Sequence, residues 1–149
     1  MANRQHLYRG KYKDNGEWVY GDRITEPYGV VIQYYKDNKR IKAAVIPETI
    51  GEWTGLCDKN GVKIFEDDIV EYNDGFYYFK GKVVFECGAF GIACEDVIPL
   101  DLEYACNNDN FISLWELIWN SESLDSEYVG VEVIGNIHDN PELLEVSKC

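Results

Sequence analysis

Runs of β-branched and aromatic residues repeat along this chain, each cut short by an Asn, Asp or Gly turn: "DNG" at 14–16, "KDN" at 36–38, "KNG" at 59–61 and "NDG" at 73–75. Stops this frequent leave room for short strands and little else, so the chain is expected to be mainly β. Asn15-Gly16 and Asn60-Gly61 predict two-residue type I′ hairpins, because both central positions need positive φ, which Asn tolerates and Gly adopts without a Cβ clash. The strings after them, "NGEWVYGDRI" and "NGVKIFEDDI", align Val19 with Ile64, Tyr20 with Phe65, Asp22 with Asp67 and Ile24 with Ile69. Shared turn chemistry accounts for a likeness this short, and no duplication is inferred.

One internal segment has a helical signature. Ser113 and Glu116 form a potential capping box ahead of "LWELIW", with Leu114, Leu117 and Ile118 at helical spacing. A further turn is expected after Pro141 in "NPELLE", where Asn140 suits an N-cap. Between the two, "NSESLDSE" at 120–127 reads as a mobile acidic loop, and "YVGVEVIGNI" at 128–137 as the closing strand. At 149 residues and 46% hydrophobic composition, the chain suits one domain or two small packed subdomains, burying roughly two-thirds of the unfolded surface.

No apolar run is long enough to span a bilayer, and "MANRQHLYRGKYKD" turns polar at once, so a cytoplasmic protein with no membrane association is expected. The five cysteines, Cys57, Cys87, Cys94, Cys106 and Cys149, are odd in number and contain no Cys-x-x-Cys. Reduced thiols are therefore expected, rather than a disulfide framework or a structural zinc site.

The net charge of −13 conceals an asymmetry. Residues 1–45 hold 9 Lys+Arg and 5 Asp+Glu, and the remainder hold 5 and 22, giving +4 and −17. So negative a field repels phosphate backbones, which confines any nucleic-acid contact to the basic first third.

The segments "WTGLCDKNGVKIFEDDIV" and "VEVIGNIHDNPELL", with "KYKDNGEWVYGD" near the start, resemble the YopX family of phage and prophage proteins. That family typically reads Thr-Gly-Leu-x-Asp-Lys-x-Gly, then an aromatic-Glu-Gly-Asp-Ile-Val, and ends Ile-Gly-Asn-Ile-x-x-Asn-Pro-Glu-Leu. The resemblance implies an N-terminal antiparallel β meander and a C-terminal SH3-like β barrel with one short helix. It places a meander subdomain at 1–56 and a barrel subdomain at 57–149, packed as one compact unit, with the junction near Thr54 to Asn60. No biochemical activity is established for the family, so the resemblance implies no catalytic residue. Asp67 stands where the family usually has glycine, a substitution tolerable at some cost if the backbone there takes positive φ.

The acids Glu66, Asp67 and Asp68 are the candidate metal or catalytic cluster. Neighbouring strand residues face opposite ways, and no further oxygen ligands stand at calcium-loop spacing, so a structural turn is expected instead. His6 and His138 form no Cys-His or Ser-His motif; His138 beside Asp139 has the poor geometry of sequence neighbours. Phe76, Tyr77, Tyr78 and Phe79 put aromatics on both faces of one strand, and with Trp18 they are the candidate binding residues.

With the resemblance, these features lead to the expectation of a non-enzymatic, phage-derived accessory protein of a bacterial cytoplasm that binds another macromolecule and needs no cofactor. Opposed charges and surplus aromatics point to a homo-oligomer, with an unknown protein partner also open. Two alternatives stand: a small metal-dependent hydrolase or nuclease using Glu66–Asp68, and an acidic DNA mimic that occupies a DNA-binding protein.

Overall fold

A computed structural model describes residues 6–73, 78–86, 88–93, 111–114, 117 and 129–144. The chain divides into two compact units, residues 1–55 and 56–149. Strand is the dominant element in both, and the strands lie in two antiparallel sheets.

In the first unit β1 (Tyr8–Lys11), β2 (Trp18–Glu26), β3 (Gly29–Lys36) and β4 (Lys39–Ala44) follow one another as hairpins, and β5 (Gly51–Cys57) pairs with the outer side of β1. The strand order is β4-β3-β2-β1-β5. The meander also curls: beyond the end of β4, Val45 bridges Tyr12, while Lys13 N donates to Ala44 O and Ile46 N to Lys11 O, each at 2.9 Å. Ile32, Ala43 and Val45 line the inside of the curl, with Ile32 and Val45 fully buried. Gly10 permits the closure, since a Cβ there would stand 3.1 Å from Val45 side-chain atoms. A 3-10 helix, Pro47–Thr49, leads into β5, and the Thr49 hydroxyl accepts from Lys11 N at 2.8 Å.

Turn chemistry departs from expectation in an instructive way. The positive φ pair of a type I′ turn belongs to Asp37 (52°) and Asn38 (61°), between β3 and β4, not to either Asn-Gly. At Asn15-Gly16 only the glycine has positive φ, 73°, and its N–H reaches back to Tyr12 O inside a wider loop. At Asn60-Gly61 again only Gly61 does, at 83°, because a side chain upstream organises that turn. The two strings that align by sequence also fold differently: β2 runs unbroken through Asp22, whereas the chain turns at Asp67.

The second unit contains β6 (Lys63–Phe65), β7 (Asp68–Asn73), β8 (Tyr78–Glu86), β9 (Ala89–Ala93), β10 (Phe111–Ser113) and β11 (Val131–Asn136). Its main sheet has the order β10-β9-β8-β7-β11. Among the described residues this sheet is open, with β10 and β11 at its edges, and is not the closed barrel that the family resemblance implies. Leu114 and Leu117 are helical and buried, as their spacing predicts, and the rest of "LWELIW" lies outside the described residues. So does the 120–127 loop. Those two leucines join Ile64, Val70, Phe79, Val83, Ile92, Val129 and Val131 in the core. A 3-10 helix, Pro141–Leu144, follows β11 at the expected place. Of the cysteines, Cys57 is half-buried, and the other four lie outside the described residues.

Candidate functional site

The polar residues of the sequence motifs converge on two turns and on the end of β11, all within the second unit. Asp58, 1% exposed, is the first. Its Oδ1 accepts from Asn60 N at 2.8 Å and Val62 N at 2.9 Å, and its Oδ2 accepts from Val133 N at 2.9 Å. One carboxylate thus shapes the "DKNG" turn and ties it to β11. Lys59 N adds a bond to Val131 O, and Val129 N one to Cys57 O, so segment 57–59 covers the outer edge of β11. A buried charge is tolerable when amides take up its lone pairs in this way. Asp58 carries no expectation in the sequence reading, although an Asp two residues before Asn-Gly is a recognisable side-chain turn signal.

Glu66 and Asp67 form the turn between β6 and β7. The three acids do not converge. Asp68 is 2% exposed and its Oδ2 accepts from Phe65 N at 2.8 Å. Asp67 takes positive φ, 70°, and is held at three points: its N donates to Val83 O, its O accepts from Ile137 N, both at 2.9 Å, and its Oδ2 lies 3.2 Å from His138 Nε2. Among the described residues no three His, Cys, Asp or Glu side chains are grouped to hold a metal ion.

The end of β11 explains "IGNIHDNPEL" residue by residue. A Cβ on Gly135 would lie 2.6 Å from Asn140 Oδ1 and 2.9 Å from Leu143 Cδ1, so any larger residue would have to displace those two side chains from the turn that folds back over it. Asn136, buried, accepts at Oδ1 from His138 N and Asp139 N, and donates from Nδ2 to Asp139 Oδ2 at 3.1 Å. Asn140 O accepts from Leu143 N, opening the 3-10 turn, while its carboxamide accepts from Asn136 N at 3.4 Å rather than capping that turn. His138 therefore finds an acid 71 residues away in sequence. Its neighbour Asp139 is bound to Asn136. His6, ahead of β1, lies 2.9 Å from Glu52.

The candidate aromatics divide. Phe79 is buried and stacks on its cross-strand partner Tyr72 with centroids 4.9 Å apart, whereas Tyr78 is exposed. Burial, aided by a hydrogen bond to Glu71, raises the Tyr78 phenol above its ordinary value. Phe76 and Tyr77 lie outside the described residues. In the first unit Trp18 is half-buried, with the Arg9 guanidinium 4.6 Å and the Lys11 ammonium 5.5 Å from its ring centroid.

The sequence profile of the family described as YopX protein matches residues 7–145. No curated protein matches the chain. Two solved structures are similar to it, each with a TM-score of 0.50. Protein EF1440 from Enterococcus faecalis is 22% identical, the match covering 96% of this chain and all of that one. Protein yopX from Bacillus subtilis is 21% identical, with 95% and 98% covered. At that identity the likeness concerns the fold alone.

Proposed function

The chain belongs to the YopX family, and from that premise we propose that it acts by binding another macromolecule and not by catalysis. On this proposal it is a phage- or prophage-derived accessory protein of the bacterial cytoplasm that assembles with copies of itself. The SH3-like character of the second unit belongs to the same proposal, supported by its five-stranded antiparallel sheet and by the way segment 57–59 bonds along β11. Among the described residues no helix is long and apolar enough to cross a membrane.

One observation carries the reading: the motif residues Asp58, Asp68 and Asn136 direct their oxygens at backbone amides. A carboxylate engaged in this way positions a turn, while a metal or a reacting atom needs those lone pairs turned outward. Thermal melting with Mg²⁺, Mn²⁺ or Ca²⁺ tests it. An ion at a hundred times its dissociation constant would stabilise the fold by about 2.7 kcal/mol. The expected midpoint is unchanged with all three; a rise with any of them would favour a metal-dependent hydrolase using Glu66–Asp68.

A further inference from the structure

The register of the first sheet collects an exposed face of mixed chemistry. Residues paired directly across antiparallel strands share a face, and alternate residues along a strand share it too. Asp22 pairs with Gln33 and Gln33 with Lys42; Tyr35 pairs with Arg40; Tyr20 pairs with Arg9. These side chains therefore lie on the side of β2, β3 and β4 opposite Ile32 and Ala43. Tyr20 is 47% exposed and Tyr35 69%. Arg40 and Lys42 are exposed beside them, and Lys42 reaches Glu26 at 2.7 Å. With the half-buried Lys11, the face presents three cations against Asp22 and Glu26; Arg9, on the same side, is buried.

We infer that this face, centred on Tyr35 and Arg40, docks the acidic second unit of another copy of the chain. The inference rests on the assembly reading above and names its surface. Charge complementarity selects the occupant: Lys11, Arg40 and Lys42 outnumber Asp22 and Glu26 on this face, and residues 46–149 of every other copy carry −17. Cations alone steer an encounter and add little net affinity, so a lasting contact needs a desolvated apolar centre. Two exposed tyrosines beside an arginine supply one, and Tyr and Arg are the residue types that most often dominate such contacts. The exposed Lys39, Arg40 and Lys42 of edge strand β4 discourage strand-to-strand pairing, which favours docking through the face over the edge. Because the two surfaces differ, the contact is head to tail, closing into a ring if the rotation allows.

The test is light scattering behind size exclusion on the full chain, at about 0.1 M and about 1 M salt, which brackets strong and weak screening. Wild type is expected to run as an oligomer at low salt. The double variant Tyr35→Glu/Arg40→Glu, with its fold checked by circular dichroism, is expected to fall to the mass of one chain. Tyr28→Glu, a control at the 86% exposed β2–β3 turn, should keep the wild-type mass. An oligomeric wild type whose double variant keeps the same mass would overturn the face and leave the assembly standing. A wild type that is a single chain at both salts and at high concentration would overturn the assembly, and the face with it.

Discussion

His138 Nε2 lies 3.2 Å from Asp67 Oδ2, joining the turn between β6 and β7 to the residue two beyond the end of β11. Asp67 also holds that position with a left-handed backbone, φ 70°. Two opposing effects therefore meet at one residue. Glycine would relieve about 1 kcal/mol of backbone strain, and losing the side-chain hydrogen bond to His138 costs about 0.5–1.5 kcal/mol. Asp67→Gly is expected to change stability by less than about 1 kcal/mol, whereas Asp67→Ala, which keeps the strain and loses the contact, should cost more. Urea denaturation of both variants checks this, and equal losses would remove the backbone from the explanation.

Asp58 is expected to be among the most sensitive positions in the second unit. Asp58→Ala strands three amides that its carboxylate satisfies, at about 1 kcal/mol each, so a loss of roughly 3 kcal/mol is expected. Hydrogen exchange should locate the damage at Asn60, Val62 and Val133. A loss below about 1 kcal/mol would show that water replaces the carboxylate at no cost.

Gly135→Ala should destabilise by about 1–3 kcal/mol, the range for overpacking a filled site. Its Cβ would collide with Asn140 Oδ1 and Leu143 Cδ1. Gly135→Ala/Asn140→Ala, which clears the nearer obstacle, should recover part of the loss. No recovery in thermal melting would place the constraint elsewhere.

At alkaline pH, Tyr78 should ionise late. Burial first, and then the hydrogen bond to Glu71, raise its pKa in the folded state. The folded state then holds the proton more tightly than the unfolded one. This contribution is complete below the unfolded pKa and is lost as pH rises through the folded value. Ultraviolet difference titration of wild type against Tyr78→Phe should show one phenol titrating above the ordinary tyrosine range. A missing component at the ordinary value would contradict this.

Duplex DNA should bind weakly or not at all at physiological salt, given −17 on residues 46–149. A mobility-shift titration with submicromolar, salt-sensitive affinity would contradict it.

Strand content and turn positions were legible because both follow from local chemistry: each Asn, Asp or Gly cluster ends a β-branched run. Turn type was less legible. Asn60-Gly61 satisfies the two-residue hairpin pattern, yet the Asp58 carboxylate takes the amides of Asn60 and Val62 and shapes a different turn. Asp37-Asn38, lacking glycine, adopts the left-handed pair because β3 and β4 are in register on either side of it. Asp67 was readable as a left-handed position only because glycine usually stands there in the family. Its partner His138 was not readable, since no local pattern links residues 71 apart. The open second sheet, too, depends on long-range pairing, which composition does not encode.

The outer edge of β11 carries a consequence for synthesis on the ribosome. The first unit has all its strands once about residue 57 has emerged, and its hairpins β1–β2, β2–β3 and β3–β4 close over short loops before β5 returns to β1. The second unit waits. Val70 of β7 acquires Val133 as its partner, and Asp58 its third amide, only when the last strand arrives, 75 residues after Asp58. Until then one side of β7, with its apolar Ile69 and Val70, stands unpaired, and that interval is when the nascent chain is most open to aggregation or to a chaperone.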